Sequence, residues 1–300
     1  MQKQIGDVVK EARKAKRMTQ KELANGICTQ ATVSNLENNN SVPAVRTLLA
    51  IGERLKIDFS DLSEYLPVSE NGHRELFYQV KELFKKLKYK EAKDLLLKKI
   101  KVKDLTESID VKEYNYYMGM ASLMGDKNFS DAHYHFNLSM QASTNKNVDI
   151  LDSLTTNGIA VAYFMANELD KSKYYFEKSL AQLEEIRKSD VQFSDIAESI
   201  KIYYNSAKYY SAVKNYTKAI ELCSAGIKLQ KEDGSIHGLE LLLYEKGINL
   251  CKQGKIEDAG HIFYLAVALC ELNDRKDLIQ TIKKDSEEFK ISSLVFSRVL

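Results

Sequence analysis

The stretch TQKELANGICTQATVSNLE, residues 19–37, reads as two short helices joined by a tight turn. Thr19 is a good N-cap, and Glu22 three residues on completes a capping box. Leu23, Ala24 and Ile27 give the first helix an apolar face. Thr29 caps a second helix that turns Val33 and Leu36 inward. Its other face carries Gln30, Ala31, Thr32, Ser34 and Asn35, short or amide side chains of the kind that hydrogen-bond base edges. One helix across a phosphate backbone and a second in the major groove is the helix-turn-helix arrangement. Gln30, Thr32, Ser34 and Asn35 are therefore expected at base edges, and Gln20, Lys21, Thr29 and Arg46 at phosphates. Gly26 is expected to take the sharp bend between the helices.

The surroundings extend this into a small domain over residues 1–66. Before the motif, Ile5, Val8, Val9 and Ala12 recur at helical spacing, with Lys10, Arg13, Lys14, Lys16 and Arg17 interleaved. After it, Val45, Leu48, Leu49, Ile51, Gly52 and Leu55 mark another amphipathic helix, and a last short one is expected from about Phe59 to Leu66. Lys and Arg outnumber Asp and Glu by ten to five over residues 1–56. That excess is moderate, so a single copy should grip DNA weakly. A homodimer on a two-fold operator is the expected remedy. The competing reading is a small helical domain that binds protein.

Composition favours helix throughout. Only Pro43 and Pro67 occur, leaving the last 233 of 300 residues free of proline. Leu, Lys, Glu, Ala and Tyr dominate that stretch. Cys28, Cys223, Cys251 and Cys270 fall on apolar helical faces at no ligand spacing, as reduced core residues of a cytoplasmic protein would. His133 and His135 are two apart and point away from each other on a helix, so neither a metal nor another cofactor is expected. The charged, amphipathic N-terminus does not read as a signal peptide, and no window approaches a membrane-spanning apolar run.

Residues 67–72, PVSENG, read as a linker, and the rest, 73–300, repeats itself. Ala92, Ala132, Ser172, Ala219 and Ala259 align, spaced by 40, 40, 47 and 40 residues. Four positions on come Leu96, Phe136, Phe176, Cys223 and Phe263. Twelve positions before come Val80, Met120, Ala160, Ala207 and Gly247, three of them small. Small residues at both points let paired helices approach closely, the signature of tetratricopeptide-type pairs with helices longer than the usual ~34-residue unit allows. The expected fold is all-α: the five-helix head, then a right-handed superhelix of five degenerate pairs at about 73–100, 112–142, 149–187, 194–231 and 235–272, and a capping helix near 274–290. The apolar tail SSLVFSRVL is expected to dock on the last repeat or a partner subunit.

The first helix of each pair should line the inner wall. The register places Phe77, Tyr117, Asn157, Tyr204 and Tyr244 there, with Lys81, Ala121, Val161, Lys208 and Ile248 a turn further on. Phe84, Met124, Phe164, Ser211 and Cys251 follow, preceded by Arg74, Tyr114, Leu154, Lys201 and Leu241. An aromatic and aliphatic groove with lysines and with Asn115, Asn157 and Asn205 suits an extended peptide. About half of these residues are expected in the core between repeats instead. The ten lysines from Lys81 to Lys103 read first as a solvated face.

Together the two halves resemble the PlcR-type peptide-responsive regulators of Gram-positive bacteria, in the wider Rap/NprR/PlcR/PrgX group. The resemblance lies in TQKELANGICTQATVSNLE, RLKIDFSDL, KYKEA, Asn157 in NGIAVAY and Asn205 in YYNSAKYY, so it spans essentially the whole chain. It implies a cytoplasmic homodimer that takes a short signalling peptide into the groove, and whose hold on DNA depends on that peptide. It further implies that Asn157 and Asn205 clamp the peptide backbone, and that Glu245 stands where relatives can carry an amide. Lys85, Lys86 and Lys88 fall near where first-repeat basic residues can meet the peptide. Two alternatives stand beside this reading. One is a constitutive regulator whose repeats bind a protein partner. The other is a repeat protein that modulates a phosphorelay, although no acid/base pair, Gly-rich phosphate loop or metal cluster points to an enzyme.

Overall fold

The computed structural model describes residues 5–38, 43, 45–57, 73–142, 148–188, 196–233, 236 and 238–291. The chain divides into two compact units, residues 1–74 and 75–300. Every described regular element is a helix.

In the first unit, α1 (Ile5–Ala15), α2 (Gln20–Ala24), α3 (Gln30–Glu37) and α4 (Val45–Leu55) surround one small core. Ile5, Val9, Leu23, Ala24, Val33, Leu36, Leu48, Ile51 and Leu55 fill it. The capping box at Thr19 forms in both directions, the Thr19 side chain accepting from Glu22 N while the Glu22 side chain accepts from Thr19 N. Gly26 makes the turn with φ 73°, a left-handed conformation that costs other residues about 1 kcal/mol or more. Nothing lies within 4 Å of where its Cβ would be, so the backbone angle alone calls for glycine there. The helix expected near 59–66, the linker 67–72 and the tail 292–300 lie outside the described residues.

In the second unit the five expected pairs are present. They are α5 (His73–Lys85) with α6 (Tyr89–Lys99), α7 (Ser108–Asp126) with α8 (Phe129–Gln141), and α9 (Ile150–Met165) with α10 (Leu169–Lys188). Then come α11 (Ile196–Ala212) with α12 (Tyr216–Asp233), α13 (Leu239–Lys252) with α14 (Ile256–Leu272), and finally α15 (Lys276–Glu288). The five aligned small residues are all fully buried: Ala92, Ala132, Ser172, Ala219 and Ala259 each show 0% exposure. So do the five partners four positions on, Leu96, Phe136, Phe176, Cys223 and Phe263.

The turn inside each pair repeats as strictly as the core. Leu87, Lys127, Asn167, Lys214 and Gly254 each lie five residues before the small position, and each takes a positive φ between 53° and 78°. At four of them the next amide N–H donates back to a carbonyl five residues earlier: Lys88 to Leu83, Glu168 to Tyr163, Asn215 to Tyr210 and Lys255 to Leu250. This left-handed cap satisfies a carbonyl that the helix end would otherwise orphan.

One alignment needs correcting. Met120 stands at the expected close-approach position of the second pair, but it is Gly119 that takes the partner ring. A Cβ on Gly119 would lie 2.6 Å from Phe136, and one on Gly158 would lie 2.7 Å from the same side chain. The Phe136 ring is wedged between backbones of α7 and α9. Gly247 behaves as the register predicts, with Phe263 2.3 Å from its missing Cβ.

Candidate functional sites: recognition helix and inner wall

The side chain of Thr29 accepts from Thr32 N at 3.2 Å, which starts α3 where the sequence placed it. Gln30, Ala31 and Asn35 on α3 are exposed, as are Lys21 and Thr29, while Thr32 and Ser34 are half-buried. The side chain of Arg46 lies outside the described part. Behind this face runs a chain of charge-assisted hydrogen bonds. Glu37, 1% exposed, receives Arg13 on both oxygens, Nη2 donating to Oε2 at 2.7 Å. Arg13 Nη1 also donates to Met18 O at 2.6 Å. Gln20 Nε2 donates to Glu37 Oε2 at 2.9 Å, and Gln20 Oε1 accepts from Gln30 Nε2 at 3.1 Å. Burial pushes the Glu37 carboxyl up, but the donors on Arg13 and Gln20 outweigh it and hold it below the usual range.

The sequence singled out Gln20 and Gln30 but not the pair that aims them. Arg13 reads in sequence as one more basic residue on α1, and its partner is 24 residues away. Arg54 was likewise unremarked. Its guanidinium donates to Leu23 O at 3.0 Å and to Asn25 O, so it caps the C-terminal end of α2.

On the repeat unit the predicted wall residues split into groups. Lys85 and Lys88 are exposed and pair with carboxylates one turn along, Glu82 at 2.7 Å and Glu91 at 2.9 Å. Lys201 pairs with Glu198 at 2.6 Å, and Lys81 reaches across to Glu113 at 3.0 Å. Asn115 is buried: it donates to Val111 O at 2.8 Å and lies 2.9 Å from His135 Nδ1. Tyr117 is buried too, its ring edge-on to Phe84 at 5.0 Å. Val161 and Phe164 are half-buried, and Phe164 meets Tyr209 edge-on.

The remaining wall residues join successive first helices. Asn205 Nδ2 on α11 donates to Asn157 Oδ1 on α9 at 2.9 Å, and Asn157 Nδ2 donates to Ser179 Oγ at 3.2 Å. Asn157 and Asn205 stand three and two residues before the small positions of their helices. Tyr204 and Glu245 hold the same two registers on α11 and α13. Burial, and next the charge on Glu245, push the Tyr204 hydroxyl up. Tyr244 and Asp285 continue the series onto α15, the hydroxyl donating to Asp285 Oδ2 at 2.7 Å. Lys208 Nζ sits 5.5 Å from the centre of the Tyr204 ring.

A capped, amide-bearing second helix on a four-helix core, followed in sequence by stacked helix pairs, defines a helix-turn-helix domain with tetratricopeptide-like repeats. Residues 9–62 match the helix-turn-helix family HTH_3. Over nearly its whole length the chain has the fold of PlcR from Bacillus thuringiensis, solved in complex with the peptide PapR7 and DNA. That match is 23% identical, covers 93% of this chain and 98% of that one, and has a TM-score of 0.64. A PrgX mutant matches at 15% identity over 99% of both chains, with a TM-score of 0.57. The apo competence regulator ComR of Streptococcus vestibularis matches at 13% identity, covering 96% and 98%, with a TM-score of 0.52. No curated protein matches the sequence. Among the described residues no helix is long and apolar enough to cross a membrane.

Proposed function

We propose that this chain is a DNA-binding transcriptional regulator whose hold on its operator is set by a short peptide bound along the inner wall of the repeats. The observation that carries the first half is α3. Its exposed face presents Gln30 and Asn35, and the Gln30 amide is already oriented through Gln20 by the Arg13–Glu37 pair. Base readout by an amide needs that orientation, because a bidentate contact to adenine uses both its donor and its acceptor. Gln30, Thr32, Ser34 and Asn35 take base edges, and Gln20, Lys21, Thr29 and Arg46 take phosphates. The domains carrying the two activities are 1–66 and 73–300, joined by 67–72. The protein acts as a cytoplasmic homodimer, since one small head neutralises few phosphates.

Support for the second half comes from the shared fold with PlcR and PrgX, whose solved complexes hold PapR7 and cCF10. The wall residues of this chain add to it: Tyr117, Asn157, Val161, Phe164, Tyr204, Asn205, Lys208, Tyr244 and Glu245, with Lys81, Lys85, Lys88, Asn115 and Lys201 at the margins. Peptide occupancy can shift operator affinity only by the difference in its affinity for the two forms of the dimer. The test is operator binding by the full chain with and without saturating cognate peptide, a candidate being any short secreted peptide encoded beside this protein. Unchanged operator affinity overturns the mechanism. One observation favours a second reading, a constitutive regulator whose repeats hold a protein: Asn157 and Asn205 already satisfy each other. Under that reading no oligopeptide binds and a folded partner does.

A further inference from the structure

Charge is unevenly spread along the repeats. Residues 74–103 carry eleven Lys and Arg against four Asp and Glu, whereas residues 104–300 carry 23 against 29. The first helix pair is the basic end of an otherwise acidic chain of repeats. Farther along, the exposed Lys171, Lys173, Lys201, Lys218 and Lys228 each meet a carboxylate three or four residues away. Opposite charges interleaved in this way suit a solvated helix face.

The C-terminal end of α6 departs from that pattern. Lys98, Lys99, Lys101 and Lys103 are all exposed, and among the described residues no carboxylate lies within 4.0 Å of any of them. Asp94 and Asp104 are near in sequence, and neither makes such a pair. Ile100 and Leu105, at 4% and 8% exposure, pin the segment to the core on either side of a single 3-10 turn, Val102–Asp104. Asp104 N donates to Lys101 O at 2.8 Å and Leu105 N to Val102 O at 3.2 Å, so the backbone between the pins is itself hydrogen-bonded. From Lys98 to Lys103 the chain can span at most about 18 Å. The negative end of the α6 dipole favours Lys98 and Lys99 in the last turn, but that effect fades within a turn and does not account for Lys103. Four like charges on so short a segment repel one another, and a polyanion relieves that repulsion.

Three residues join α5 to α6, so the two helices run antiparallel. The lysine-bearing end of α6 therefore returns to the end of α5 at which the chain enters the repeats. We propose that Lys98, Lys99, Lys101 and Lys103 form a second contact to duplex DNA, made to phosphates and not to bases. This rests on the DNA-binding reading above and adds grip to a head whose own basic excess is moderate. A duplex carries one charge about every 1.7 Å of its axis, so a segment of this length meets several phosphates at once. Lysine ammonium groups are flexible point charges that neutralise phosphate without selecting sequence.

The experiment follows binding of the full chain to a fluorescein-labelled mixed-sequence duplex of roughly 40 base pairs, from about 50 to 200 mM NaCl, by fluorescence anisotropy. Phosphate contacts are independent of sequence, so this probe reports them without the operator. With Lys98, Lys99, Lys101 and Lys103 all changed to Gln, the slope of log affinity on log salt should become shallower by about 2–4 units, about 0.9 for each phosphate released. The same four positions changed to Arg should keep the wild-type slope. A control changes Lys214, Lys255, Lys276 and Lys284, four exposed lysines of the acidic part, to Gln, and should move the slope by less than about one unit. Equal changes in the two Gln variants mean that net charge alone acts, and overturn the contact. So does an unchanged slope in the first variant; if that variant also loses binding to a polyglutamate peptide, the lysines belong to an acidic protein partner instead. A wild-type chain that binds no duplex overturns the DNA-binding reading and this contact together. Circular dichroism checks each fold, and Lys101→Gln and Lys103→Gln made singly, at about 0.9 unit each, decide the matter if the fourfold variant fails to fold.

Discussion

The head and the repeats treat their amides in opposite ways. On α3, Gln30 and Asn35 are exposed, and what is buried is the Glu37 carboxylate behind them, held by the half-buried Arg13. On the inner wall, Asn115 and Asn157 are themselves buried, at 3% and 2% exposure, and bond neighbouring helices. A helix that offers one face to a neighbouring duplex can keep its readers outside the core. A stack of helices has less of a spare face, because wall positions such as Asn157 and Asn205 are also seams between repeats. A side chain in the head can therefore be purely a reader, whereas one on the wall is both a contact for ligand and a part of the packing.

That contrast can be broken at its strongest point. Glu37→Ala leaves the half-buried Arg13 guanidinium without its partner, a loss of about 1–3 kcal/mol. In the full chain, hydrogen exchange should then accelerate across α1–α4 while α7–α14 keep their protection. Loss of protection in both units together would mean that they do not fold independently. Acid should act on the same pair. The Glu37 carboxyl lies below its usual value in the fold, so its contribution is complete above about pH 5 and is lost as pH falls through the lower folded value. Protection in α1–α4 measured from pH 6 to pH 2 should fall along that course.

The next effects sharpen the distinction between reading and packing. Gln30→Ala should relax the preference at one base pair by about 1–3 kcal/mol, and Lys21→Ala should weaken all sequences alike while lowering the salt slope by about one unit. Equal losses on every sequence from both changes would remove the assignment of Gln30 as a reader. In the repeats, Gly247→Ala drives a methyl into the Phe263 ring. The overpacking costs about 1–3 kcal/mol and outweighs the gain of about 1 kcal/mol in helix propensity, so urea unfolding should report a less stable chain. The smallest expected change has the other sign. Lys214 takes φ 63° with an exposed side chain, so Lys214→Gly should stabilise the chain by about 0.5–1 kcal/mol in the same assay.

How far the sequence carried the reading depends on the range of each interaction. Thr19 with Glu22 and Thr29 with Thr32 are local, so residue types three apart announced both caps. The pair register was equally legible, because a helix that must approach its neighbour needs a small residue at each repeat, and Ala92 through Ala259 supply it. Met120 misled because the neighbouring Gly119 does the same work one residue earlier, and periodicity alone cannot settle a shift of one on a helix that is buried almost all round.

Sequence by itself determined that this protein is helical, that a helix-turn-helix precedes five helix pairs, and which face of each helix is apolar. These follow from hydrogen bonds and side-chain spacings within a few residues. Only the tertiary structure decided that Arg13 and Glu37 orient Gln20 and Gln30, that Asn205 bonds Asn157, and that Glu245 is buried with no cation within 4.0 Å among the described residues. Those pairings join residues separated by 10 to 48 positions or depend on what a whole neighbourhood lacks, and a linear pattern encodes neither.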